Sequence, residues 1–183
     1  MPPTDAFHLQ HWYSVRAHAE IGLYRGALGP IANWRRTLGE LSRSLLVRIQ
    51  TVRSEAVWLS GRLLCAQAAA GIYVRRSLAE ANACARRLER ERVAYASVWG
   101  HLLRAVVTED ADARVAELRH AVKAAEANDQ HLCAAAARVR LAELVAGDEG
   151  IALRAQAGTW MAGEGIRNPQ RLIEVMAPSA RKK

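Results

Sequence analysis

The feature that most narrows the folds open to this chain is "SLLVRIQTVRSEAVWLSGRLLCAQAAAG", residues 44–71. Within it Leu45, Ile49, Val52, Ala56, Leu59, Leu63, Ala66 and Ala70 recur at alternating intervals of four and three. That spacing gathers the apolar residues on one face of an α-helix, whereas a strand would scatter them over both of its faces. Ser44 or Ser42 stands where an N-cap is wanted, and Gly71 where a left-handed residue can end the helix. Arg48, Arg53, Glu55 and Gln67 fall outside the stripe. One amphipathic helix cannot bury its apolar face alone, so the rest of the chain must supply partners.

Nothing in the sequence obstructs them. The prolines are confined to Pro2, Pro3, Pro30, Pro169 and Pro178, and alanine is abundant. Gly26, Gly71, "TEDAD" at 108–112, "AND" at 127–129, "AGDEG" at 146–150 and "GEG" at 163–165 punctuate the chain. They predict helices near 5–25, 30–42, 44–70, 73–91, 93–108, 110–127, 130–146, 149–164 and 169–176. Short connections make sequence neighbours pack roughly antiparallel. Taken in pairs, the helices recur about every 35 to 40 residues, the period of a helix-turn-helix solenoid. The expectation is an all-α single domain over 1–183: a right-handed, tetratricopeptide-like stack of about four antiparallel pairs (5–42, 44–91, 93–127, 130–164) with a short C-terminal capping helix at 169–176. A chain of 183 residues buries about 70% of its unfolded surface, so neither disulfide nor metal is needed to hold it.

The ending is the sharpest local signal. Gly165 can take the left-handed conformation that stops the helix carrying Trp160 and Met161, Asn168 is placed as an N-cap, and Pro169 occupies the favoured first helical position. Leu172, Ile173 and Met176 then offer an apolar face to cover the last repeat, as an open-ended stack requires for solubility.

"FHLQHWYSVRAHAEIGLYRG", "SLLVRIQTVRSEAVWLSGRLLCAQA", "AAAARVRLAEL" and above all "WMAGEGIRNPQRLIEVMAP" resemble the C-terminal tetratricopeptide-like region of large bacterial serine/threonine protein kinases. In that family a Gly-Ile-x-Asn-Pro turn and a terminal helix close the array. The resemblance covers nearly the whole chain and implies a helical-repeat sensor or docking region. It carries no kinase chemistry, because a Gly-rich loop followed by a strand lysine, an "HRD" and a "DFG" are all missing from the sequence.

The residues themselves argue against a catalytic or metal centre. His8 and His11 are neighbours on a helix with Asp5 one turn earlier, a conceivable three-ligand set for zinc. His18 lies about 15 Å along the axis from His8 and cannot reach the same ion. The glutamate of an HExxH motif is missing, and Trp12, Val15 and Ile21 read as a packing stripe, so these histidines are expected to be structural or superficial. Cys65, Cys84 and Cys133 are odd in number, have no CxxC spacing and sit among alanines and leucines, where a thiol acts as a small inert hydrophobe. Such cysteines suit a reducing cytoplasm. "MPPTDAFHLQ" has neither the basic start nor the apolar core of a secretory leader, and no run approaches the roughly 18 apolar residues of a membrane span. Glu109/Asp110 and Asp148/Glu149 coincide with turns before helices, where a carboxylate stabilises the N-terminus. No serine lies on a GxSxG elbow, and "AGEGIRNP" lacks the strand and spacing of a phosphate loop. The expectations are no enzyme activity, no cofactor, no metal, no membrane and a cytoplasmic location.

Net charge is +8, with arginine supplying 23 of 26 basic residues. Up to Arg92 the chain has 14 basic and 7 acidic residues, a balance of +7; beyond it 12 and 11, a balance of +1. Arg75, Arg76, Arg86, Arg87 and Arg90 gather into a basic ridge diluted by Glu80, Glu89 and Glu91. Aromatics are not interleaved with it as a single-strand binder would want, which disfavours nucleic acid and leaves a solvated face. The function expected is a non-catalytic module that holds a protein or peptide in the concave groove lined by the first helix of each pair. Arg and Trp dominate interface energetics, so the polar and aromatic positions off the packing stripes are the candidates: His11, Arg16, Arg48, Arg53, Trp99, Arg104 and Arg138. A nucleic-acid-binding regulator, and a remnant of a longer kinase with no role of its own, are the alternatives.

Overall fold

The computed structural model describes residues 7–27 and 33–179. Asp5, and the expected helix starts at 5 and 30, lie outside the described residues. Those described form α-helices α1 (Leu9–Arg25), α2 (Trp34–Arg43), α3 (Gln50–Ala69), α4 (Val74–Arg90), α5 (Ala94–Val107), α6 (Ala111–Glu126), α7 (His131–Ala142), α8 (Gly147–Gly163) and α9 (Pro169–Met176), with no strand among them. The all-α expectation therefore holds, and helix ends move by a few residues.

One expected helix is divided. The segment 44–70 opens with a 3-10 turn, Leu45–Arg48, and becomes α-helical only at Gln50. Ser44 is the cause: its Oγ accepts from the Leu46 N–H (3.2 Å) and donates to the Leu41 carbonyl (2.7 Å), tying the tighter turn to the end of α2. Ile49, extended at ψ 112°, then restarts the helix. As a result Leu45 and Ile49, the first two members of the stripe, stand 73% and 49% exposed. From Val52 to Leu63 the stripe is buried, and so is the opposite face, with Val57, Trp58, Leu64 and Cys65. A helix apolar on every side belongs inside, and α3 packs against α1, α4 and α5.

From α3 to α8 each helix packs against the next. The odd-numbered helices also meet, α3 against α5 and α5 against α7, while the even-numbered ones scarcely touch each other. Gly61 permits that approach: a Cβ there would sit 2.3 Å from Leu103 Cδ1. On α7 the run Ala134–Ala137 is buried, small enough for α6 and α8 to close in from both flanks.

The first and last of these helices meet across this row. α1 buries Trp12, Ala19 and Leu23, and α9 packs against both α1 and α7. Gly165 is left-handed (φ 66°), and the N–H groups of Gly165 and Ile166 reach the carbonyls of Ala162 and Met161 at 3.0 Å, closing α8. Asn168 Oδ1 accepts from the Arg171 N–H at 3.1 Å with Pro169 at the first helical position. Ile173 packs with Ala135, Ala157 and Met161 of α7 and α8. Val175 and Ala177 join the main core instead, so α9 links the end of the row to its beginning.

Candidate functional site

On the side of the odd-numbered helices lies a cleft of about 570 Å³ lined by α1, α3, α5, α7, α8 and α9. Aromatic residues set its shape. Trp58 of α3 and Trp99 of α5 stack with ring centres 5.8 Å apart and planes 8° from parallel, and Tyr95 tilts against Trp99 at 5.0 Å. Across the cleft Trp160 of α8 tilts against His131 of α7 at 6.1 Å. Leu172 and Met176 of α9, both partly buried, complete the apolar lining.

Two ion pairs lie in the cleft. Glu55 of α3 accepts from Arg16 Nη1 at 2.7 Å and from the Trp12 indole N–H at 3.3 Å, joining α1 to α3. Arg62 of α3 is 2% exposed and holds Glu20 of α1 with both terminal nitrogens, one at 2.8 Å. Its guanidinium lies 4.9 Å from the Trp58 ring centre, and Nη1 also points to the Val175 carbonyl of α9 at 3.4 Å. A buried guanidinium held by a carboxylate, a ring face and a carbonyl fixes three helices at the cleft floor. Arg62 Nε and the Gln130 amide nitrogen, both beside the cleft, are buried without a hydrogen-bond partner.

Of the candidates named from sequence, Arg16 and Trp99 come together here. Arg53 is engaged elsewhere: it meets the Glu91 carboxylate at 2.7 and 2.6 Å and donates to the Val47 carbonyl at 2.8 Å, locking the 3-10 turn to the end of α4. Those hydrogen bonds hold the Glu91 carboxyl below its usual range and raise the Arg53 guanidinium. Arg104 grips Glu89 and Asn82 of α4, and Arg138 holds Glu126 of α6, so both heads turn to even-numbered helices. Arg48 is exposed on the 3-10 turn. His11 is exposed on α1, its Nδ1 accepting from the His8 backbone N–H at 3.0 Å. Trp58, Trp160, Glu20 and Arg62 were not among the candidates. A lone arginine within "WLSGRLLC" was the available signal, since an all-apolar helix has no solvated face for it.

His18 Nδ1 lies 2.7 Å from the Ser14 carbonyl, a local contact on the same exposed face. Burial pushes the Cys65 thiol up to about 12 and those of Cys84 and Cys133 to about 11, so none is a nucleophile near neutrality. Asp110 caps α6, accepting from the Ala113 N–H at 2.7 Å, and Asp148 and Glu149 lie in the first turn of α8. On the outer ridge Arg76 pairs with Glu80, while Arg75, Arg86, Arg87 and Arg90 are exposed. Among the described residues no helix is long and apolar enough to cross a membrane.

No protein-family model, curated protein or solved structure matches the chain.

Proposed function

We propose that this chain is a non-catalytic, tetratricopeptide-like docking module that binds a protein partner on the odd side of its helix row, as a scaffold or sensor associated with bacterial serine/threonine kinase signalling. The observation that carries the reading is the cleft: tryptophans from three helices around the ion pairs Arg16–Glu55 and Arg62–Glu20. The kinase association rests on the sequence resemblance, above all that of "WMAGEGIRNPQRLIEVMAP". The ligand is a peptide segment, loop or helix of the partner that inserts apolar anchors between Trp99, Trp160 and Met176.

The test is capture of a partner from bacterial cytoplasm with the whole chain, followed by affinity measurements on Trp160→Ala, His131→Ala and the ridge variant Arg86→Gln/Arg87→Gln. The cleft variants are expected to weaken binding about thirtyfold, the effect of losing a 2 kcal/mol anchor, and the ridge variant to leave it unchanged. Affinity untouched by the cleft variants while circular dichroism shows an intact fold removes the cleft from the reading. Steeply salt-dependent binding of nucleic acid, lost on neutralising Arg86, Arg87 and Arg90, replaces it with the nucleic-acid alternative.

A further inference from the structure

Three metal-ligating side chains outside the cleft converge on the α5–α6 hairpin. His101 comes from α5, and Glu117 and His120, three apart on α6, share one face of that helix. His101 Nδ1 lies 2.7 Å from Glu117 Oε2, and the rings of His101 and His120 have centres 5.3 Å apart at 51°. One donor atom from each residue lies within 4.8 Å of the other two. His101 and Glu117 are each 26% exposed, while His120 is exposed and gives the group an opening to solvent. The neighbouring cation on α5, Arg104, is held away by Glu89 and Asn82 on α4.

We propose that His101, Glu117 and His120 form a binding site for a divalent first-row transition cation, with zinc the best match, independent of the docking cleft. Two imidazoles and one carboxylate are a donor set that zinc takes, with a fourth position left to water. Donors around tetrahedral zinc, at about 2.0 to 2.1 Å from the ion, stand roughly 3.3 Å from one another. His101 Nδ1 and Glu117 Oε2 stand 2.7 Å apart and the donor atoms of the three residues all lie within 4.8 Å of one another, which brings the set within reach of one ion. The His101–Glu117 hydrogen bond opens as the carboxylate transfers to the metal, and the ion clips α5 to α6. Glu117-x-x-His120 is a legible half-motif in sequence, but His101 is supplied by another helix and completes the set only after the hairpin forms.

The experiment is calorimetric titration of the dialysed chain with zinc chloride, with cobalt(II) chloride as a spectroscopic probe. One equivalent of zinc is expected to bind and raise the melting temperature, and cobalt to give the intense ligand-field bands of a four-coordinate ion. His101→Ala, His120→Ala and Glu117→Gln should each weaken binding more than about tenfold, since losing even an outer-shell partner costs roughly 10- to 100-fold. Glu117→Gln preserves the shape and the hydrogen bond to His101, so its effect reads ligation rather than packing. Melting of each metal-free variant establishes that its fold is intact. The double variant His8→Ala/His11→Ala should bind as the unaltered chain does. No uptake of zinc, uptake that survives both His101→Ala and His120→Ala, or uptake lost on changing His8 and His11 overturns the assignment.

Discussion

Replacing Trp12 by alanine should destabilise the protein by about 4 kcal/mol, the usual cost of removing a fully buried large aromatic side chain. For a chain of this length that lowers the melting temperature by roughly 8 to 16 °C. Trp12 is fully buried, and its indole N–H satisfies Glu55, which also holds Arg16. The substitution removes the packing between α1 and α3 and one donor of that carboxylate together. Alanine at His18, in the same segment but exposed, should change stability by no more than about 0.5 kcal/mol, and alanine at the half-buried N-cap His8 by about 1 kcal/mol. Thermal melting of the three variants checks the structural account of "FHLQHWYSVRAHAE". Histidine changes that cost more than the tryptophan would contradict it.

Glu20→Ala should cost about 3 kcal/mol, or roughly 6 to 12 °C of melting temperature, because it leaves the Arg62 guanidinium buried with no counter-charge. The lower end of the range for breaking a buried pair applies, since Glu20 is one-third exposed and water can take part of its place. Losing the pair as a whole is a different matter. Trading both partners for apolar side chains is often nearly neutral, so Glu20→Ala combined with Arg62→Met should recover most of the loss. A double variant as unstable as the sum of the two single ones would mean that Arg62 acts through the Trp58 ring and the Val175 carbonyl rather than through Glu20.

Local chemistry was legible and distant pairing was not. The final helix was placed at 169–176 from sequence, because Gly165, Asn168 and Pro169 act on backbone groups within a few residues of themselves. The 44–70 helix was misjudged at its start, where Ser44 could cap a helix or a 3-10 turn and the contact with the Leu41 carbonyl decided for the latter. The intervals of three and four in α3 disclosed one buried face but not the second, since burial of Trp58 and Cys65 depends on which helices surround α3. The candidate arginines follow the same rule. Arg53 meets Glu91 38 residues away and Arg16 meets Glu55 39 residues away, separations set by the stacking of helices and not by any spacing along one of them. The association of α9 with α1 was equally out of reach, since Leu172, Ile173 and Met176 announce an apolar face without saying what lies against it.

We propose that a protein partner occupies the cleft between the odd-numbered helices, α8 and α9. Site-specific photo-crosslinking in living cells tests it most directly, with a photoreactive side chain placed in turn at position 131 or 172 in the cleft and at position 86 on the outer face of α4. Positions 131 and 172 are expected to capture the same protein, and position 86 is not. Capture from position 86 with none from the cleft positions would contradict the proposal.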